Sequence, residues 1–456
     1  MLRLSRHLLA AAVCTLAVTG CSNFLSGPSV DKDPNNPTPD QATANQLFVA
    51  FQASQYTTFE GTMAYTVCIW MQQCTAINGR FLEQQGVDYQ MDGQTFDGQF
   101  SGIYYGGGLI DLRTIQTKTA ATDPLYNGIA EVWEALIISE AADKWGDIPY
   151  SEAVGTVKTP KLDGQLSVYA ALLTLLDDAI GKIAQGGTGP GAIDFSYSGD
   201  PTKWTALAHT LKARILLHQV AVNGGAVPGN AYYTQIAAEA AQGLAADGSQ
   251  DFTAVVDGSS LTKSNGWAQF YTSSGFGTDL VGGDVLINTM NADNDPRRTD
   301  YFAGATPTPS GALINGSPRT APNFPQPWVT GDENTLIRAE AAFIQNDGAT
   351  ALSLVNTVRS NHGLTPLAGP VTLRQIITEK YVALFQNYEV WNDFKRTGCP
   401  ALTPTFNEPK FGGLIPRRLF YGQTETDANP NIPDTGTQLA NGFRNANDPG
   451  PQTCPP

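Results

Sequence analysis

The sequence is poor in histidine. Four occur in 456 residues, and with His7 near the start only His209, His218 and His362 remain for the body. His209 and His218 stand nine apart, so they are not the i, i+4 pair that ligates a metal from one helix face. Charge is scarce as well: 15% of residues are charged, 27 basic against 42 acidic, for a net −15. No basic patch interleaved with aromatics is visible, which excludes nucleic acid as an expected partner. Long apolar runs are missing too. Leu8 to Val18 spans 11 residues, too few to cross a bilayer, and nothing later in the chain is long enough. Nucleophile-elbow, phosphate-loop and dinucleotide patterns are also lacking. The Gly106-Gly107-Gly108 run lacks the Lys-Ser/Thr end of a phosphate loop and reads as a turn.

What is present begins with an address. Arg3 and Arg6 precede the apolar run, and Val18-Thr19-Gly20-Cys21 follows it. This is the pattern of a signal peptide over residues 1–20 with a bacterial lipobox, so cleavage before Cys21 and lipidation of its thiol are expected. Cleavage leaves 25 basic and 42 acidic residues, a charge of −17. Residues 21–40 are polar and Pro-rich and read as a flexible lipidated tether. The lipid is the membrane anchor the sequence offers.

Beyond Cys14 and Cys21 there are four cysteines, Cys68, Cys74, Cys399 and Cys454. Four allow three disulfide connectivities in an oxidising compartment. Cys68–Cys74 with Cys399–Cys454 is favoured. The first requires a break between its partners, because six residues of continuous helix rise ~9 Å. The second would staple the Pro-rich tail to a charged segment. A zinc site is the rival, with no histidine or second close cysteine pair in support.

The secondary-structure pattern is mainly α. Asp123-Pro124 opens a helix to Trp145 in the N-cap-then-Pro manner, and Asp200-Pro201 opens another. Further helices are expected over 41–55, 166–183, 232–246, 334–345 and 348–360, the last two forming a hairpin of about tetratricopeptide size. Thr372 and Gln375 form a capping-box pattern. Leu373, Ile376, Ile377, Leu384, Tyr388 and Trp391 then extend one apolar stripe to a stop at Thr397-Gly398. Glu379, Lys380, Glu389, Asp393, Lys395, Arg396, Arg417 and Arg418 gather around that stop and suggest a charge-paired corner. Residues 41–456 read as one helical body, with a loop-rich insert at about 247–330.

Candidate chemistry is sparse. Glu140 and Asp143 share a helix face and could imitate a glycosidase acid pair, against a structural role beside the GDIPY turn. Asn291 to Arg297 superficially resembles a calcium loop, but Pro296 replaces the required Gly and the closing Glu is missing, so only a looser calcium site stays open. The insert suits ligand binding better. Trp267, Tyr271 and Trp328, with Asn265, Asp279 and Asp284 nearby, could present ring faces and polar groups to a sugar; packing within the core is the competing role. On the binding reading, Trp267→Ala weakens glycan binding and leaves melting unchanged.

Several stretches carry a resemblance. They are the lipobox, DPNNPT at 33–38, VWEALIISEAADKWGDIPYSEA at 132–153, WTALAHTLKARILLH at 204–218, DPRRTDYF at 295–302 and IRAEAAFIQND at 337–347. ITEKYVALF, EVWNDFKRTGCP and IPRRLFY complete the set within 376–421. Together they resemble the SusD/RagB family of nutrient-binding outer-membrane lipoproteins. The resemblance implies an α-α superhelix of tetratricopeptide-like pairs with long loop insertions. It also implies a surface-exposed, non-enzymatic protein without a cofactor that captures oligosaccharides or peptides for a SusC-like TonB-dependent transporter. Cys399 and the cysteine-bearing tail depart from the family pattern. A secreted α-helical glycosidase and a helical-repeat scaffold are the alternatives from other classes.

Overall fold

The computed structural model describes residues 41–83, 86–222, 230–273, 277, 279–304, 312–445, 448 and 450–455. The signal run, Cys21 and the 21–40 tether lie outside the described residues.

The first helix, α1 (Ala44–Phe59), starts at a capping box in which the Thr43 hydroxyl accepts from Gln46 N and the Gln46 side chain returns to Thr43 N. A short helix α2 (Thr62–Trp70) follows, buried from Met63 to Trp70. It ends as Gln72 takes φ 55°, and the chain turns back into strand β1 (Cys74–Ala76). This reversal brings Cys74 to a Cα separation of 5.1 Å from Cys68, and the two are disulfide-bonded.

The body is a run of packed helices: α3 (Leu109–Thr119), α4 (Pro124–Trp145), α5 (Gln165–Gln185), α6 (Pro201–Val222) and α7 (Asn230–Ala240). Successive members pack on one another. Asp123 caps α4 by accepting from Tyr126 N, and Asp200 accepts from Thr202 N and Lys203 N at the start of α6. Helix α4 is the axis of the molecule, because every side chain from Leu125 to Trp145 is buried. Gly128 lets α5 approach it closely: a Cβ there would sit 2.7 Å from the Ala179 carbonyl oxygen and 2.9 Å from Ile183 Cγ1. Helix α7 stops short of the expected Ala246. Asn334 Nδ2 donates to the Ala240 and Leu244 carbonyls, and Thr210 Oγ1 accepts from Leu244 N, so side chains take the groups a further turn would use.

The middle region is short helices and strands pinned to that body. It contains β2 (Phe252–Ala254), α8 (Gly266–Thr272), β3 (Leu280–Gly282), α9 (Asp284–Ala292) and β4 (Gln326–Val329). Strand β1 pairs antiparallel with β3, and β2 with β4. Helices α10 (Gly331–Ile344) and α11 (Gly348–Asn361) form the expected hairpin, and α10 packs on both α6 and α7. The final stripe is two helices, not one: α12 (Leu373–Ala383) and α13 (Glu389–Thr397). Between them Gln386 adopts φ 67°. Asn387 fixes the break, since its Nδ2 donates to the Trp328 carbonyl at 2.9 Å and its Oδ1 accepts from Glu389 N at 3.0 Å. Beyond α13, Cys399 is disulfide-bonded to Cys454, with 4.7 Å between their Cα atoms.

A side chain at Gly128 must push α4 and α5 apart along a fully packed seam. Gly128→Val is therefore expected to cost about 1–3 kcal/mol, measured as a drop in urea midpoint at unchanged m.

Candidate functional site

Two places concentrate polar chemistry. One is sealed and the other is open.

The sealed place is the charged corner, where α4, α6, α10, α12 and α13 meet. His218 lies between two carboxylates, with Nδ1 3.0 Å from Asp143 Oδ1 and Nε2 2.6 Å from Glu389 Oε1. Burial alone would lower its pKa, but Asp143 and Glu389 outweigh that and hold the imidazole at about 9. Burial would raise Glu389; His218 and Arg214 hold it below the usual carboxylate range instead. Asp143 also accepts from Tyr169 and Asn392. Arg214 forks onto Glu333 with Nε–Oε1 2.6 Å, and Arg396 binds both Glu340, at Nη2–Oε2 2.6 Å, and Asp393. Lys380 pairs with Asp393 at 3.0 Å. Burial pulls Lys395 down to about 8, with Asp143 opposing, and its Nζ donates to the Asp143 carbonyl at 2.7 Å.

Asp143, His218 and Glu389 are close enough to hold a cation. The chemistry is wrong for one: a ligating imidazole must be neutral, and Arg214 and Lys395 already supply positive charge. Glu140 is equally committed. It accepts from Trp328 Nε1 at 2.5 Å and from the Tyr388 hydroxyl, and it pairs with Lys144. Both acids of the glycosidase alternative are thus buried within this core network. In the calcium-like loop, Asp295 pairs with Arg297 and Asp293 with Arg359. Arginine guanidinium groups neutralise those carboxylates.

The open place is a groove of about 810 Å³, within the range of ligand clefts. The end of α1 supplies Tyr56, Thr57 and Glu60; the segment before α6 supplies Asp194, Phe195 and Ser198; residues 255–264 and α8 supply Val255, Lys263, Gln269 and Phe270. Phe195 is 37% exposed, so part of its ring faces solvent, and Val255 matches it at 37%. Tyr56 and Phe195 approach with ring centroids 6.4 Å apart. At the base, Glu60 Oε2 accepts from Gly266 N, while Oε1 has no partner among the described residues. Burial pushes this carboxyl up to about 8, opposed by the Gly266 N–H, so at neutral pH it carries its proton. Gly266 is required for the contact, because a Cβ would lie 2.5 Å from Glu60 Cβ.

The residues singled out from sequence fall mostly behind this groove. Trp267 is fully buried, edge-on to Tyr65 with centroids 4.7 Å apart. Tyr271 is buried and donates to the Leu280 carbonyl at 3.1 Å. Trp328 stacks on Phe59 at 4.2 Å in the central core. These rings therefore present no free face, which corrects the expectation of exposed aromatics: they face the helices because an insert this thin has no core of its own. Asn265 caps α8, accepting from Trp267 N and Ala268 N. Asp279 is buried beneath Gly79, and Asp284 is exposed in the first turn of α9; neither lines the groove. Of the six, only the α8 residues bear on the groove, by shaping its wall.

The sequence matches the profile of the SusD-like family described as "Starch-binding associating with outer membrane" over residues 34–316 and 330–422. The chain belongs to the SusD-like family. Solved structures share the fold of this SusD-like protein. A chitin-binding SusD homolog from Flavobacterium johnsoniae is 18% identical, with 90% of this chain and 98% of that chain covered at a TM-score of 0.72. A SusD/RagB family protein from Bacteroides thetaiotaomicron is 20% identical, with 88% and 97% covered and a TM-score of 0.65. A SusD homolog from Bacteroides uniformis is 19% identical, with 90% and 99% covered and a TM-score of 0.69. A search of curated proteins finds no match. The SusD-like fold carries the tetratricopeptide-like helix pairs seen here. Among the described residues no helix is long and apolar enough to cross a membrane.

Two outcomes are expected. His218 has a folded pKa raised above the ordinary imidazole value of 6.5, so its contribution is fully present below 6.5 and is lost as pH rises through about 9. The stability gap between wild type and His218→Gln should shrink by up to about 3 kcal/mol over that window, read from urea melts at stepped pH. Trp267→Ala should lower stability by about 3–5 kcal/mol, measured by denaturation, because its ring is core.

Proposed function

We propose that this protein binds oligosaccharide in the groove between α1 and α8 and delivers it to a SusC-like TonB-dependent transporter, without cleaving it. The observation that carries the reading is the groove itself: partly exposed Phe195 and Val255 sit beside hydroxyl, amide and carboxyl groups, in a chain whose family is described as starch-binding. A sugar ring can lay its C–H face on Phe195 while Gln269, Ser198 and Thr57 meet hydroxyls. Capture without bond cleavage is supported by the engagement of Glu140 and Asp143 in the buried corner, neither of which lines the groove. Anchoring through a lipid on Cys21 and the 21–40 tether would leave the body facing outward from the outer membrane, where a transporter partner is accessible. Differential affinity of the open and transporter-closed states for ligand would drive the handover.

Calorimetry with malto- and chito-oligosaccharides tests the binding step. Phe195→Ala is expected to weaken the bound oligosaccharide at least tenfold, about 1.4 kcal/mol, with the melting temperature unchanged because the ring is partly exposed. Equal affinity for wild type and variant, or new reducing ends on incubation with polysaccharide, would remove the reading.

A further inference from the structure

Seven arginines are buried among the described residues, and six hold a carboxylate. Arg214 takes Glu333, Arg297 takes Asp295, Arg319 takes Asp300, Arg359 takes Asp293, Arg396 takes Glu340 and Arg417 takes Asp448. The seventh, Arg418, is 8% exposed and has no carboxylate within salt-bridge distance among the described residues. Its Nε donates to the Leu419 carbonyl at 3.2 Å, and its Nη2 reaches Gln438 Oε1 at 3.5 Å, the limit of a hydrogen bond. Both acceptors are neutral, and so is its third partner, the Tyr421 hydroxyl. The guanidinium carbon lies 4.9 Å from the centroid of the Tyr421 ring and 5.8 Å from that of Phe443, so aromatic faces hold the plane in place.

Arg418 borders a pocket of about 350 Å³ that shares no residue with the oligosaccharide groove. Arg444 lines it too, exposed and likewise without a carboxylate among the described residues. Asn445 also lines it, and its buried Oδ1 has no partner there either. The acids at the pocket are engaged: Asp147 Oδ1 accepts from Gln165 N at 2.9 Å, and Asp448 is held by both Nε and Nη2 of Arg417. A buried guanidinium without a counter-ion is costly, and its fork geometry matches a planar carboxylate.

We propose that this pocket binds the carboxylate of a hexuronate, an acidic sugar residue, with Arg418 as its counter-ion and Arg444 at the rim. The Asn441 amide and the Asn445 Oδ1 line the pocket and can meet sugar hydroxyls, while Gln438 is held by Pro433, Tyr421 and Arg418; the volume suits one ring with its water. The site shares no lining residue with the groove and does not depend on what the groove holds.

Titration of the full protein with glucuronate, galacturonate, glucose and inorganic sulfate tests it. A uronate should bind and raise the melting temperature, and glucose should do neither. Arg418→Met should lose the uronate response, and Arg444→Gln, at an exposed position that leaves the fold alone, should weaken it at least tenfold. Affinity for the groove's oligosaccharide should be unchanged in both variants. No uronate binding by wild type, unchanged binding by Arg444→Gln, or equal protection by sulfate would overturn the proposal.

Discussion

The molecule depends on a protonated imidazole held between two carboxylates. Asp143 comes from α4, His218 from α6 and Glu389 from α13, so one ionic sandwich joins the central helix to elements far apart in the chain. Buried charges carry a desolvation cost that only good geometry offsets. Here each charge meets an opposite one and the remaining lone pairs find Tyr169, Asn392 and Arg214. The corner is therefore an all-or-none assembly: deleting one member leaves the others charged and dry.

On the proposed function, that rigidity explains where recognition is placed. The corner is sealed and consumed by its own pairs, whereas the groove sits where the end of α1 meets the thin middle region. There Gln269 Nε2 donates to the Ser264 carbonyl and Lys263 pairs with Asp257, so it is atoms such as the Gln269 Oε1 and the Ser198 hydroxyl that are offered to a guest. Glu60 belongs to both worlds, anchored by the Gly266 N–H and too dry to ionise readily at neutral pH.

Much of the helical skeleton was legible in sequence because its signals are local. Asp123-Pro124, Asp200-Pro201 and the Thr372–Gln375 box each announce a helix start, and each caps one. Helix α2 escaped because it is apolar on every side and shows no amphipathic stripe. The split of the last helix escaped because Leu384 and Tyr388 keep helical spacing while Asn387 breaks the backbone. The charged corner was visible as a cluster of acids and bases. The groove was not: Tyr56, Glu60 and Phe195 come from unrelated segments, and only the fold brings them together. Trp267 and Trp328 misled because a tryptophan in a loop-rich stretch looks the same whether it faces solvent or the core.

The tail has a consequence for the order of events during synthesis. Asp448 is the counter-ion of Arg417, and Cys454 closes onto Cys399. Both follow the residues they lock in sequence and leave the ribosome after them. Until then Arg417 stands without its acid and the segment around Cys399 is unfastened. The corner can thus be closed only after residues 448 and 454 have been made, and fastened only where thiols oxidise.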